Sequence, residues 1–226
     1  MNVKINFNND KYFSKNYTTI AVDLAGHGKS GLNRKEYSMD AFGDDVKSVI
    51  EHLDLDQVVL IGHSMGGPVI VKAAGSLGAK SRLIIGVDTF HDLTTEGIGR
   101  FARIAVNTMF QLFYDSMTKD SIDDFFIDKT DKDLEDWIRN DALKSPKNIS
   151  QGTLDALLTM NYPESLSELS IPMIALNARS FRETKLDSNF DTYKDIQIEF
   201  MEDVGHFIML ERPDEFNKWL EAKISE

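Results

Sequence analysis

A chain of 226 residues suits one domain, or one domain carrying an insertion. Hydrophobic residues make up 42% and charged residues 27%, enough to bury a core. The 25 Lys and Arg against 37 Asp and Glu leave a charge of −12 that repels polyanions such as nucleic acid. Cysteine is absent, which excludes disulfides, thiolate metal sites and a cysteine nucleophile. Residues 1–10 contain no apolar run of the signal-peptide kind, and no apolar run approaches the ~20 residues that span a bilayer. These features lead to the expectation of a cytoplasmic protein with no membrane span.

In chain order, Thr18-Thr-Ile-Ala-Val-Asp23 is β-branched and apolar without alternation, the pattern of a buried strand. A glycine-rich turn follows from Gly26 to Gly31. Ser38 is an N-cap candidate for a helix that places Phe42, Val46, Val49, Ile50 and Leu53 on one face. Gln57–Ile61 predicts a second buried strand, Gly62–Gly67 a tight turn, and Pro68 to Leu77 a helix with proline in its first turn. Arg82–Val87 predicts a third strand. Between residues 92 and 170 no strand is predicted. Phe101, Ile104, Ala105, Met109, Leu112 and Phe113 fall at helical spacing, and acidic residues crowd 120–136 as a solvated helix face. Strands resume at Ile171–Leu176 and Ile196–Met201, and a last helix from Pro213 buries Phe216, Leu220 and Ile224. Alternating strands and helices imply an α/β fold: a mostly parallel sheet with helices on both faces, with residues 92–170 as a helical insertion in a core of residues 1–91 and 171–226.

Gly62-His63-Ser64-Met65-Gly66 fits G-x-S-x-G between a predicted strand and a predicted helix. A serine on so tight a turn has strained backbone and exposes its hydroxyl above the sheet, with a helix N-terminus behind it to favour developing negative charge. Gly205-His206-Phe207 follows the last strand. An imidazole near neutrality can take and return the serine's proton. His63 is expected to pack beneath the elbow, and His27, His52 and His91 to be structural or exposed.

Three further matches do not carry their usual chemistry. Gly26-His-Gly-Lys-Ser-Gly31 fits the dinucleotide pattern G-x-G-x-x-G but opens no helix. Gly28-Lys-Ser30 lacks the P-loop's first glycine, since Asp23 stands there. Asp131, Asp133 and Glu135 alternate as in a calcium loop, but Asp136 and Ala142 replace its glycine and its last glutamate.

Asp23-Leu-Ala-Gly-His-Gly-Lys-Ser30, Gly62-His-Ser-Met-Gly-Gly67 and Gly205-His-Phe-Ile-Met-Leu-Glu-Arg-Pro213 together resemble the successive signatures of the α/β-hydrolase superfamily. The resemblance implies a helical lid at 92–170 and a triad in the order Ser, acid, His. Two departures stand out. Only 17 residues precede the strand expected at Thr18, and they contain no His-Gly loop, so Met65 N–H is the one oxyanion donor implied. The chain thus resembles a family member without its N-terminal strands, and Val3 to Phe7 alternate as a partial replacement would. In the segment after the seventh family strand, Leu176-Asn-Ala-Arg-Ser-Phe-Arg-Glu183, arginine and serine stand where the acid is usual. Asp88, after the preceding strand, is the leading acid, against a structural role there; Glu183 and Asp187 are the other candidates.

The resemblance implies a serine hydrolase of an ester or similar acyl compound. Ser64 attacks, His206 is base then acid, Asp88 orients the imidazole and Met65 N–H binds the oxyanion, with no cofactor. The apolar residues of 101–117 suggest a pocket under the lid and a substrate with an apolar part. The departures support an alternative, a non-catalytic or truncated protein that at most binds a small molecule; if the chain is a hydrolase, they lead to the expectation of weak turnover and of self-association through an open sheet edge.

Overall fold

The structure, a computed structural model, describes residues 11–167 and 169–226. Among these, four strands form one parallel sheet in the order β1 (Val58–His63), β2 (Ser81–Val87), β3 (Met173–Ala178), β4 (Ile196–Met201). Because parallel strands need crossovers, helices fill every connection. Between β1 and β2 runs α2 (Gly66–Leu77), preceded in the chain by α1 (Met39–His52). Between β2 and β3 lie α3 (Arg100–Leu112), α4 (Tyr114–Asp123), α5 (Lys132–Ala142), α6 (Lys147–Thr159) and α7 (Tyr162–Leu166). The helix α8 (Leu186–Thr192) joins β3 to β4, and α9 (Ile208–Glu211) and α10 (Pro213–Ser225) close the chain. None of the helices is long and apolar enough to cross a membrane, among the described residues.

Each strand sends alternate side chains to opposite faces, and both faces are covered. Ile84, Met173, Ala175 and Ile196 pack with Phe42, Val46, Ile50, Val69 and Val71 of α1 and α2. Leu83, Ile85, Val87, Ile174 and Leu176 pack on the other side with Phe207, Ile208, Phe216 and Leu220. Ser38 caps α1 as expected: its Oγ accepts from Ala41 N at 3.1 Å. Leu53, expected on the buried face of that helix, is exposed because the helix has already ended there.

Thr18–Asp23 corrects the sequence reading. These residues form no strand and are exposed, with Ile20 at 42% and Val22 at 37%. A strand exists only with a hydrogen-bonded neighbour, and this segment has none among the described residues. Among the described residues β1 is the edge of the sheet, and its Ile61 is 40% exposed. The expectation for Val3 to Phe7 lies outside the described residues. The third sequence-predicted correction concerns α3: Phe101 (87% exposed), Ile104, Met109, Leu112 and Phe113 are turned to solvent rather than into a pocket. A cavity of about 350 Å³ lies elsewhere, lined by Arg179, Phe181, Arg182, Thr184 and Phe200, with neither Ser64 nor His206 in its wall.

Candidate active site

The turn after β1 is built by steric necessity. Ser64 has φ +52, left-handed backbone that non-glycine residues rarely adopt. Its N–H donates to the Val87 carbonyl at 3.1 Å, continuing the β1–β2 ladder by one bond, and its carbonyl accepts from Gly67 N at 2.9 Å as α2 begins. A Cβ on Gly62 would meet the Gly66 carbonyl oxygen at 2.4 Å, and one on Gly67 would meet Thr89 Oγ1 at 2.3 Å. These two glycines are therefore fixed by packing, whereas a Cβ on Gly66 would meet nothing. Met65 follows Ser64 at the N-cap of α2, so its peptide N–H sits at the positive end of that helix.

Asp88 follows β2 at the same end of the sheet, also at positive φ (+45), with its N–H on the Leu176 carbonyl at 2.8 Å. Its side chain is buried. Oδ1 accepts from Ala178 N at 2.8 Å, and Oδ2 accepts from His206 Nδ1 at 2.5 Å. Burial pushes the Asp88 carboxyl up, against the Ala178 N–H and the nearby His91, His63 and Arg182. His206 is buried as well, and burial pushes its imidazole down, helped by His91 and Arg182. Its backbone N–H donates to the Phe125 carbonyl at 2.9 Å, between α4 and α5.

The imidazole of His206 is enclosed by rings: Phe125 stacked at 4.5 Å, Phe181 at 4.6 Å and His63 at 4.4 Å between centroids. Its Nε2 is buried with no hydrogen-bond partner. His63 donates from Nε2 to the His206 carbonyl at 2.8 Å, so the residue before Ser64 is tied to the residue after β4. Burial pushes His63 down to about 3, which keeps it neutral. It lies at the elbow, as its sequence position implied.

The structure thus brings Ser64, Met65, Asp88 and His206 to the carboxyl ends of β1, β2 and β4, where open parallel sheets place their sites. Glu183 and Asp187 are exposed, and the partner of His206 Nδ1 is Asp88. Sequence reading missed Phe125, Phe181, Asn177 and Asn189. The two asparagines are fully buried and hold the loop after Asp88. Asn177 Oδ1 accepts from Thr89 N at 3.1 Å, and Asn189 Oδ1 accepts from Leu93 N at 2.7 Å while its Nδ2 donates to the Phe90 carbonyl at 2.8 Å. Asn177, set in the apolar run Met173–Ala178, is the one signal the sequence offers for this; Asn189 lies among polar residues and carries none. His27 and His91, read as structural or exposed, prove buried or nearly so; His27 bonds the Ala25 carbonyl through Nδ1 at 3.1 Å.

The other motifs resolve into structure. Asp23 holds the Gly26–Gly31 turn twice: its carboxylate accepts from Lys29 N at 2.8 Å and its backbone carbonyl accepts from Ser30 Oγ at 2.6 Å, so that turn wraps a side chain of its own rather than a phosphate. Asp131 is the N-cap of α5, and no metal-ligating cluster occurs among the described residues. Glu135 departs from the expected solvated face: it is buried, paired with Arg139 at 3.0 Å and Lys132 at 2.7 Å.

A four-stranded parallel sheet with helices on both faces, a strained strand–turn–helix serine and a buried histidine–carboxylate pair define a known architecture, that of α/β hydrolases. The chain belongs to the alpha/beta hydrolase family, whose profile matches residues 7–219. It is similar to the AB hydrolase superfamily protein YisY of Bacillus subtilis, 28% identical over 183 residues, 76% of this chain and 67% of that one. It is 33% identical over 102 residues to a 2-(acetamidomethylene)succinate hydrolase of Mesorhizobium japonicum, covering 45% of this chain and 36% of that enzyme. In structure it resembles an esterase from Exiguobacterium antarcticum, TM-score 0.81 at 20% identity, with 100% of this chain and 90% of that one covered, a likeness of fold.

Proposed function

We propose that the chain is a serine hydrolase of an ester or similar small acyl substrate. The observation that carries this reading is the 2.5 Å bond from His206 Nδ1 to Asp88 Oδ2, with Ser64 held at φ +52 and its N–H bonded to the carbonyl of Val87, the residue before Asp88. In this mechanism His206 Nε2 takes the Ser64 hydroxyl proton as Oγ attacks the acyl carbon. The negative oxygen of the tetrahedral intermediate is met by Met65 N–H at the α2 N-terminus. Asp88 holds the imidazole in its Nδ1–H tautomer and stabilises the imidazolium, which returns the proton to the leaving alcohol. Water then attacks the acyl-enzyme by the same route, and no cofactor enters. Residues 92–170 act as the lid, with Phe125 as the lid's contact with the catalytic imidazole.

The unpartnered His206 Nε2, closed in by aromatic rings, favours one second reading: a non-catalytic protein that binds a small molecule at the same place. A fluorophosphonate probe separates the two. Labelling of the wild type that is lost in Ser64→Ala supports the hydrolase. No labelling of either, or equal labelling of both, leaves the binding reading.

A further inference from the structure

A second imidazole faces the carboxylate of Asp88. The Nε2 of His91 lies 3.5 Å from Asp88 Oδ1, its side chain is 10% exposed, and that nitrogen is buried without a hydrogen-bond partner. Around its other nitrogen, the protons can be assigned one at a time. Asn177 Oδ1 must face Thr89 N–H, because only the oxygen can accept there, at 3.1 Å. That fixes Asn177 Nδ2, a donor, toward Thr184 Oγ1 at 3.0 Å and His91 Nδ1 at 3.4 Å. Thr184 Oγ1 accepts from Asn177, and with its own proton turned to His91 Nδ1, 3.0 Å away, it supplies a second donor there. With donors converging on Nδ1, the neutral ring carries its proton on Nε2, the atom turned to Asp88.

We infer that His91 is a positioning residue for the triad proposed above: its Nε2–H, set by Asn177 and Thr184, secures Asp88 Oδ1 so that Oδ2 is committed to His206. The inference rests on that reading of Asp88 and His206 for its meaning in catalysis, but its test requires no turnover. Asp88 Oδ1 then accepts a hydrogen bond from Ala178 N at 2.8 Å and faces His91 Nε2 at 3.5 Å, a longer electrostatic contact from a second direction. The backbone of His91 is held from outside as well. Its carbonyl accepts from Lys185 N at 2.8 Å and from Asn189 Nδ2 at 3.3 Å, so the loop bearing the ring is anchored to α8. Without the His91 donor, negative charge concentrates on Oδ2, its pull on the His206 Nδ1 proton increases, and the imidazolium of His206 is favoured. The charged and titratable groups facing this cluster are Asp88 and His91 after β2, His63 at the end of β1, Arg182 after β3 and His206 itself.

The experiment is imidazole proton–nitrogen NMR on the full chain, titrated in the wild type, His91→Leu, His91→Gln and Thr184→Val. In the wild type, His91 is expected as the Nε2–H tautomer. In His91→Leu, the protonation constant of His206 rises by roughly tenfold, about one pH unit in midpoint. In His91→Gln, whose amide N–H can replace Nε2–H, it returns to within about threefold of wild type. Thr184→Val mixes the two His91 tautomers. An Nδ1–H tautomer in the wild type overturns the inference even if a variant fails to fold, as does an unmoved His206 midpoint in His91→Leu. Absence of Ser64-dependent probe labelling with the His91 tautomer and His206 shift present would instead overturn the hydrolase reading alone.

Discussion

Asp88 occupies a backbone position that few residues would accept, φ +45 at the end of a buried strand, with both carboxylate oxygens already engaged. An asparagine there keeps the shape but presents an amide that can hold the imidazole in the wrong tautomer. Asp88→Asn is therefore expected to fold and to lower kcat by about 10⁴ on a p-nitrophenyl ester, the scale such tautomer errors reach in serine triads. Glu183→Gln and Asp187→Asn should leave the rate within a few-fold of wild type. A loss in either of them equal to that in Asp88→Asn would move the acid to the loop after β3. Ser64 and His206 were readable because each sits in a local motif at a predicted strand end. Asp88 stands in the sequence as one of three candidate acids, and its bond to His206, 118 positions away, exists only in the fold. Asn177, His91 and Phe125 carry no local mark, and their meaning comes from contacts that exist only after the sheet has assembled.

At the scale of elements, β1, β2 and β4 fall close to where unbroken apolar runs put them, because strands buried on both faces need such runs. β3 begins two residues later than read, as the Met173–Ala178 pairing follows its neighbours' register. Thr18–Asp23 has the same composition and forms no strand, which shows what composition leaves out: a ladder requires a partner. The amphipathic spacing of α3 was likewise legible, but not the direction its apolar side would face. From the exposure of Phe101 (87%), Leu112 (69%) and Phe113 (53%), and separately from a β1 edge that no strand pairs among the described residues, we propose self-association of the chain. Sedimentation velocity should show a weight-average mass that rises with concentration. The double substitution Phe101→Ser with Leu112→Gln should reduce that rise without lowering the unfolding midpoint. A wild type that stays monomeric across the concentration series would remove the proposal, and a double variant that associates as strongly would shift it to the β1 edge.

Across the whole molecule, the histidines set a common response to acid. His27, His63, His91 and His206 all have their protonation pushed below the ordinary imidazole value, in each case chiefly by burial, and for His63 to about 3. An unfolded chain takes up these protons near pH 6.5, whereas the native state refuses them until lower pH. Between those limits the unfolded state binds more protons, so stability falls as pH falls from about 6.5. Asp88 acts in the opposite sense. Its raised carboxyl lets the native state bind a proton between about pH 4 and 6 that the unfolded chain has already released, which offsets one imidazole but not four. Each proton bound only by the unfolded chain contributes about 1.4 kcal/mol per pH unit. Urea unfolding should therefore show a clearly lower midpoint at about pH 5 than at about pH 7.5. His63→Gln should flatten this dependence, because it removes one half-buried imidazole whose refusal of a proton does not depend on Asp88 accepting a bond. Equal midpoints at the two pH values would mean that these imidazoles charge in place, and a steeper dependence in His63→Gln would mean that His63 is not among the groups responsible.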